Sequence, residues 1–155
     1  MTTSTSTATG WARIAITATS ERGGANSAVA RWRGGWCCDV QAGDYSVVVD
    51  EPAGAGGTAL GPMPTDLLLA SVASCYALAL AWAARKRGFE LPDLEVTATG
   101  TYEGPRFAAF VVTVSTTLDV DRLTPLLEPA RRVCYVSNTL AQTPSITVSL
   151  APPTS

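Results

Sequence analysis

Histidine is absent from this sequence of 155 residues. Its absence excludes Ser-His-Asp and Cys-His catalysis, because both use an imidazole as the base. It also excludes most zinc sites, since the four cysteines (Cys37, Cys38, Cys75 and Cys134) show no C-x-x-C spacing, and we expect no metal. A reactive thiol in this chain would have to be activated by an arginine, which is always charged and offers several donors.

Charged residues are also few, at 15% of the sequence, and the net charge is −2 with no long basic run. Nucleic acid is therefore not expected as the main partner, because phosphate binding requires clustered Lys and Arg. The hydrophobic content of 46% is that of a globular protein. We expect a single domain over residues 10–150, preceded by a disordered polar tail at 1–9.

The first residues, MTTSTSTATG, have neither a basic start nor an apolar segment. We therefore expect no signal peptide and a cytoplasmic protein. Thiols in that compartment stay mostly reduced, which favours packing, catalytic or redox roles over structural disulfides.

The order of the predicted elements is strands, helix, strands, helix, strand. Period-2 alternation and β-branched residues predict strands at 11–19, 28–33, 36–41, 45–49, 94–102, 107–118 and 145–150. A long helix is predicted over 64–88. Residues 123–140 are predicted to form a short helix and then a second one that starts near Pro129 and carries Cys134. Segregated runs of strands and helices predict an α+β fold, with antiparallel sheets around a long central helix.

The central helix is the longest apolar stretch, PTDLLLASVASCYALALAWAARKRG. Pro64 suits its first turn, and Thr65 or Asp66 could cap it. A membrane span is the alternative, because residues 67–84 carry no charge. The many alanines, together with Ser71 and Ser74, favour a buried core helix. The segment before it, at 51–64, is a Gly/Pro loop of a length that is often functional.

Cys75 lies in the middle of this helix. At helical spacing its face is shared by Leu68, Ser71, Val72, Leu78, Ala79 and Trp82. Apolar neighbours raise the pKa of a thiol, so Cys75 alone would be an inert, packed residue, and only a cation from elsewhere would make it reactive.

The other cysteines differ in context. Cys134 follows two arginines in RRVCYVSNT, and a cysteine near a helix start gains thiolate stability from free N–H groups. Core packing is the alternative for Cys134. Cys37 and Cys38 lie in a predicted strand, point to opposite faces and are expected to serve packing only.

These residues carry a family resemblance. The stretch GPMPTDLLLASVASCYALAL, which contains Cys75, and the later stretch VCYVSNTL, which contains Cys134, together resemble the OsmC/Ohr family of thiol-dependent hydroperoxide reductases. The resemblance extends from about residue 15 to residue 150. It implies an OsmC-like α+β fold and an intertwined homodimer, in which the two central helices pack together and each active site lies at the dimer interface.

The resemblance also implies a mechanism. Cys75 would attack an organic hydroperoxide and become a sulfenic acid, and Cys134 would resolve it as a disulfide. An external dithiol, such as a lipoyl-protein, would reduce that disulfide, with no cofactor and a role in oxidative stress defence. The activating arginine of the family corresponds to Arg22 in ITATSERGG, with Arg31, Arg33, Arg131 and Arg132 as rivals.

The sequence departs from the family pattern at three places. Thr65 stands where the hydroperoxide reductases carry a glutamate that pairs with the arginine, and Asp66 or Glu51 would have to replace it. Tyr135 stands where a proline usually follows the second cysteine. Ser20 and Glu21 stand where a glycine pair usually precedes the arginine. Two alternative functions therefore stay open, namely a non-catalytic dimer that binds an apolar small molecule and a thiol redox sensor.

Overall fold

The computed structural model describes residues 26–151. Two antiparallel sheets and three α-helices follow one another along this part of the chain, which confirms the α+β class. The elements are β1 (Ala28–Gly34), β2 (Cys37–Ala42), β3 (Tyr45–Val49), α1 (Pro64–Arg85), β4 (Glu95–Glu103), β5 (Arg106–Ser115), α2 (Val120–Val133) and α3 (Tyr135–Leu140). The predicted tail at 1–9, the predicted strand at 11–19 and Arg22 lie outside the described residues.

The first sheet is a meander in the order β1-β2-β3. Its tight turns are possible because Gly35 and Gly43 adopt positive φ angles of 57° and 58°. The predicted strands at 28–33, 36–41 and 45–49 are confirmed to within one residue. Cys37 is 8% exposed and Cys38 is half-buried, as expected for neighbours on opposite faces of a strand.

The second sheet is the β4–β5 hairpin, which pairs from Glu95 with Ser115 to Glu103 with Arg106. The ring of Phe107 lies over Gly100 and leaves no room for a side chain at that position. A Cβ added there would stand 2.5 Å from that ring. Strand β4 in turn packs on α1.

Helix α1 begins as the sequence indicates, with Pro64 in the first turn. The N-cap position is Met63, and its N–H donates to the Asp66 carboxylate at 3.0 Å, so Asp66 and not Thr65 satisfies the helix start. At the other end Gly88 adopts the left-handed conformation, with φ of 79°.

The expectation that α1 is buried holds for one of its faces. Val72, Ala79, Leu80, Ala83 and Ala84 are buried against the rest of the chain. On the opposite side Leu78 is 73% exposed and Trp82 is 45% exposed. By length and apolarity α1 could also cross a membrane, with a mean hydropathy of 1.9 over 18 residues, a test that the core helix of a soluble protein also passes.

The Gly/Pro loop before α1 is folded around one carboxylate. Asp50 is 1% exposed and accepts hydrogen bonds from the backbone N–H groups of Glu51 (2.8 Å), Thr58 (3.0 Å) and Leu60 (3.2 Å), and from the Thr58 hydroxyl (2.5 Å). These donors lower the pKa of Asp50, the Thr58 hydroxyl most of all. The backbone N–H of Asp50 also donates to the carbonyl of Pro62, which closes the loop just before α1.

The predicted boundary between the last two helices was wrong. Helix α2 runs through both Pro125 and Pro129, and the break falls at Cys134. The prolines are tolerated because Leu126 and Ala130, one helical turn apart, are completely buried against α1, so tertiary packing offsets the two missing backbone hydrogen bonds.

The predicted strand at 145–150 was also wrong for the isolated chain. These residues form no strand in the described part of the chain, and Ile146, Val148 and Leu150 are 87%, 89% and 98% exposed. The alternating pattern is present, but a strand also requires a neighbouring strand to satisfy its backbone.

Candidate active site

The structure brings Cys75 and Cys134 together. Cys75 projects from the middle of α1, and Cys134 is the single residue between α2 and α3, with φ of −76° and ψ of 102°. Cys75 packs against the core cluster that contains Cys134, and each thiol is near enough to shift the pKa of the other. Cys134 is completely buried, whereas Cys75 is half-buried. The pair is therefore covered on the Cys134 side and partly open on the Cys75 side.

Apolar side chains surround the buried side of this cysteine pair. Cys134 belongs to one core cluster with Leu80, Ala83, Leu126 and Ala130, and Cys75 packs against that cluster. Two facing helices thus fix the two sulfurs, because α1 carries one and the end of α2 carries the other. Among residues 26–151 no group of three His, Cys, Asp or Glu side chains could hold a metal ion.

The environment raises the pKa of Cys75. Burial has the largest effect, and backbone N–H groups of Val136 and Tyr135 act in the opposite direction. Cys134 also raises it, because a second ionised sulfur at this distance disfavours the first. The described residues by themselves leave Cys75 protonated, as its apolar helix face predicted.

Cys134 has a pKa below its ordinary value. Burial opposes ionisation, but donation from the hydroxyl and backbone N–H of Ser137, from the Cys75 thiol and from the backbone of Val136 outweighs it. The first turn of α3 supplies the Ser137 and Val136 donors directly after the cysteine. Donors around its sulfur therefore favour the thiolate form of Cys134.

Tyr76 lies beside the pair. Its hydroxyl donates to the carbonyl of Leu127 at 3.3 Å and so links α1 to α2. Burial raises the pKa of Tyr76, the nearby Cys134 raises it further, and Arg131 lowers it. Sequence reasoning missed this residue, because an aromatic residue in an apolar helix usually signals packing.

Two of the candidate arginines are engaged elsewhere. Nε and Nη2 of Arg131 bind both carboxylate oxygens of Glu128, at 2.8 and 3.0 Å, and Arg132 binds the same carboxylate at 3.1 Å. Arg131 first and then Arg132 hold the pKa of Glu128 at about 2. This ion cluster lies on the exposed side of α2. Arg33 pairs with Asp39 at 3.4 Å in the first sheet.

An open groove of about 580 Å³ lies along the outer side of the junction between α2 and α3. Arg132, Tyr135 and Gln142 are among the residues that line it. Tyr135 is 68% exposed there, directly beside the buried Cys134. No signal in the sequence pointed to this groove, because it forms only where the end of α2 turns into α3.

The structure thus defines an α+β protein in which a half-buried thiol on a long helix packs against a core cluster that contains a second, fully buried thiol. The model of the OsmC-like protein family matches residues 56–149, a range that contains α1, the second sheet and both cysteines of the pair. The chain belongs to the OsmC-like (OsmC/Ohr) family, as the resemblance of the two cysteine motifs predicted.

Solved structures show the same fold. The organic hydroperoxide resistance protein OhrB of Bacillus subtilis is 23% identical, with a TM-score of 0.58 over 77% of this chain and 92% of that one. The organic hydroperoxide resistance protein OsmC of Legionella pneumophila is 24% identical, with a TM-score of 0.58 over 75% of this chain and 88% of that one. An OsmC-like protein of Mycoplasma pneumoniae is 15% identical, with a TM-score of 0.65 over 78% and 90%. No curated protein matches this chain in sequence.

Proposed function

We propose that this protein is a thiol-dependent peroxidase that reduces organic hydroperoxides and serves in oxidative stress defence. The observation that carries the proposal is that Cys75, which is distant from Cys134 in sequence, packs against the core cluster that contains Cys134. Two of its structural relatives, from Bacillus subtilis and Legionella pneumophila, are described as organic hydroperoxide resistance proteins.

The proposed reaction has two steps in the protein. The Cys75 thiolate attacks the terminal oxygen of the hydroperoxide; an S–O bond forms, the O–O bond breaks, and the alkoxide leaves as the alcohol after taking up a proton. The Cys134 thiolate then attacks the Cys75 sulfenic acid; an S–S bond forms and hydroxide leaves, to be protonated to water. An external dithiol returns both sulfurs to thiols, so no bound cofactor is required.

The surroundings of Cys75 favour an alkyl hydroperoxide over hydrogen peroxide. On the same side of α1, Leu78 is largely exposed and Trp82 is nearly half exposed, and apolar surface of this kind binds alkyl groups. Activation of Cys75 requires a cation that the described residues do not direct at it. We assign that role to Arg22, with Arg131 and Arg132 made less suitable by their bonds to Glu128.

We also propose that the functional unit is a homodimer. The exposed side of α1 and the alternating apolar residues of 145–150 are surfaces that are left open within residues 26–151. A second copy would cover both, and it would shield the open side of Cys75 from water. A cytoplasmic location would supply the reducing dithiol, such as a lipoyl-protein.

The test is turnover of cumene hydroperoxide by the reduced protein with dithiothreitol as electron donor. We expect turnover to be lost in Cys75→Ser. With cumene hydroperoxide alone and no dithiothreitol, Cys134→Ser should stop after one oxidation and accumulate the Cys75 sulfenic acid, because no thiol is present to condense with it. Cys38→Ser is the matched control, because this half-buried cysteine lies on β2 and should leave turnover unchanged.

Two results would reject the proposal. One is an absence of turnover in the parent protein, and the other is turnover undiminished in Cys75→Ser. A Cys75–Cys134 disulfide that forms with peroxide but is not reduced by dithiothreitol would instead identify a thiol redox sensor.

A further inference from the structure

The chain leaves its helical path at Cys134, between α2 and α3. The backbone N–H of Cys134 still donates to the carbonyl of Ala130 at 3.0 Å, so this residue completes α2. Its ψ of 102° then turns the chain, and its carbonyl accepts the N–H of Asn138 at 3.1 Å as α3 begins. Both helices pack against α1, so Cys134 lies in the corner between three helices and is completely buried.

The break removes hydrogen bonds of the main chain. In a continuous helix the carbonyl of Arg132 would accept the N–H of Val136, four residues later. Tyr135, the first residue after the break, has an N–H of its own, so the covalent structure of the chain does not prevent α2 from running straight on. The bent arrangement must therefore be held by contacts that a straight helix would not make.

The side chain of Asn138 makes a contact of this kind. Its amide nitrogen donates to the carbonyl of Arg132 at 3.1 Å, and so replaces the donor that the break removed. The neighbouring hydroxyl of Thr139, by contrast, donates to the carbonyl of Tyr135 at 2.8 Å, within α3. Among the side-chain hydrogen bonds of residues 26–151, the bond from Asn138 is the one that joins α3 to α2.

We propose that Asn138 is a positioning residue that keeps α3 packed over Cys134 and so reserves this thiol for Cys75. The inference rests on the proposed peroxidase function and adds a condition to its second step. In that step the Cys134 thiolate attacks the Cys75 sulfenic acid; the S–S bond forms, the S–O bond breaks, and hydroxide leaves and is protonated to water. With α3 open, the same thiolate would be free to attack oxidised glutathione, which would form a mixed disulfide and release one glutathione thiolate.

The reactivity of Cys134 with a dissolved reagent measures how often α3 opens. A completely buried thiol reacts only through local opening of the fold, at a rate that follows the population of the open state. The loss of one neutral hydrogen bond should raise that population about fivefold. Asn138→Ala should therefore increase the rate at which iodoacetamide alkylates Cys134 about fivefold. Asn138→Asp keeps the volume of the side chain but turns a carboxylate oxygen towards the Arg132 carbonyl, so its rate should rise at least as much.

The rate is measured on the full chain, with all four cysteines present, by mass analysis of its peptides after timed alkylation. Cys37 is the internal standard, because it is 8% exposed in the first sheet and should keep the parent rate unless the fold as a whole is weakened. Thr139→Ala is the matched control variant, because its hydroxyl bonds within α3, and it should leave the rate at Cys134 unchanged. Oxidised glutathione in place of iodoacetamide should give the same order of rates, with the mixed disulfide of Cys134 as the product.

The inference is overturned if both Asn138 variants alkylate at Cys134 as slowly as the parent, or if Thr139→Ala accelerates the reaction as much. It is also overturned if Cys37 accelerates in parallel, because the whole fold and not α3 would then have opened. None of these measurements needs a hydroperoxide, so they separate this inference from the proposed function. A protein that shows the expected rates and yet reduces no hydroperoxide would refute the peroxidase proposal and leave the role of Asn138 in holding α3 established.

Discussion

Oxidation of the Cys75–Cys134 pair should stabilise this protein strongly. The disulfide would close a long loop, from the middle of α1 to the end of α2, that includes the whole second sheet. The loss of chain entropy in the unfolded state predicts a gain of about 4 kcal/mol for a loop of this length. Because Cys75 already packs against the cluster that contains Cys134, little of that gain should be offset by rearrangement of the folded state.

The assay is urea unfolding at one fixed protein concentration, with the reduced protein compared to protein oxidised by one equivalent of cumene hydroperoxide. The oxidised form should unfold at higher urea, and its dependence on urea should be less steep because a cross-linked chain exposes less surface. Cys134→Ser, treated in the same way, should show no gain. If mass analysis shows a complete disulfide but the stability rises by less than about 1 kcal/mol, then the sulfurs are not neighbours in the native fold and the site is wrongly assembled.

Three further predictions test the scaffold of the site. Leu126→Ala, at a completely buried position, should lower the free energy of unfolding by about 2–5 kcal/mol, and Leu127→Ala, at a 37% exposed position, by clearly less, as measured by urea unfolding. The pKa of Asp50 is lowered in the folded protein. The stability that its carboxylate contributes is therefore present above the unfolded pKa and is lost as pH falls through the folded pKa. Asp50→Asn should unfold more easily than the parent near neutral pH, and this difference in stability should disappear in acid. Gly100→Ala should cost about 1–3 kcal/mol because its Cβ meets an aromatic ring, whereas Gly54→Ala, with open space around it, should be neutral in the same assay.

Much of the architecture could be predicted from local pattern. The strands of both sheets and the start of α1 at Pro64 follow from alternation, turn glycines and a proline in the first turn, and all of these act within a few residues. The family followed from two cysteines in matching contexts. Local pattern failed where the outcome depends on a neighbour. Helix α2 continues through Pro125 and Pro129 because α1 covers Leu126 and Ala130. Residues 145–150 are not a strand because no strand among residues 26–151 pairs with them.

The sequence by itself thus determined the family and the apolar surroundings of Cys75, because residue type and helical spacing decide the polarity of a helix face. Only the tertiary structure decided that Cys75 packs against the cluster that contains Cys134, because a long separation in sequence says nothing about distance in space. It also decided that Cys134 is completely buried while Cys75 is half-buried, because the chain breaks from helix at Cys134 and the helices on both sides of that break pack against α1.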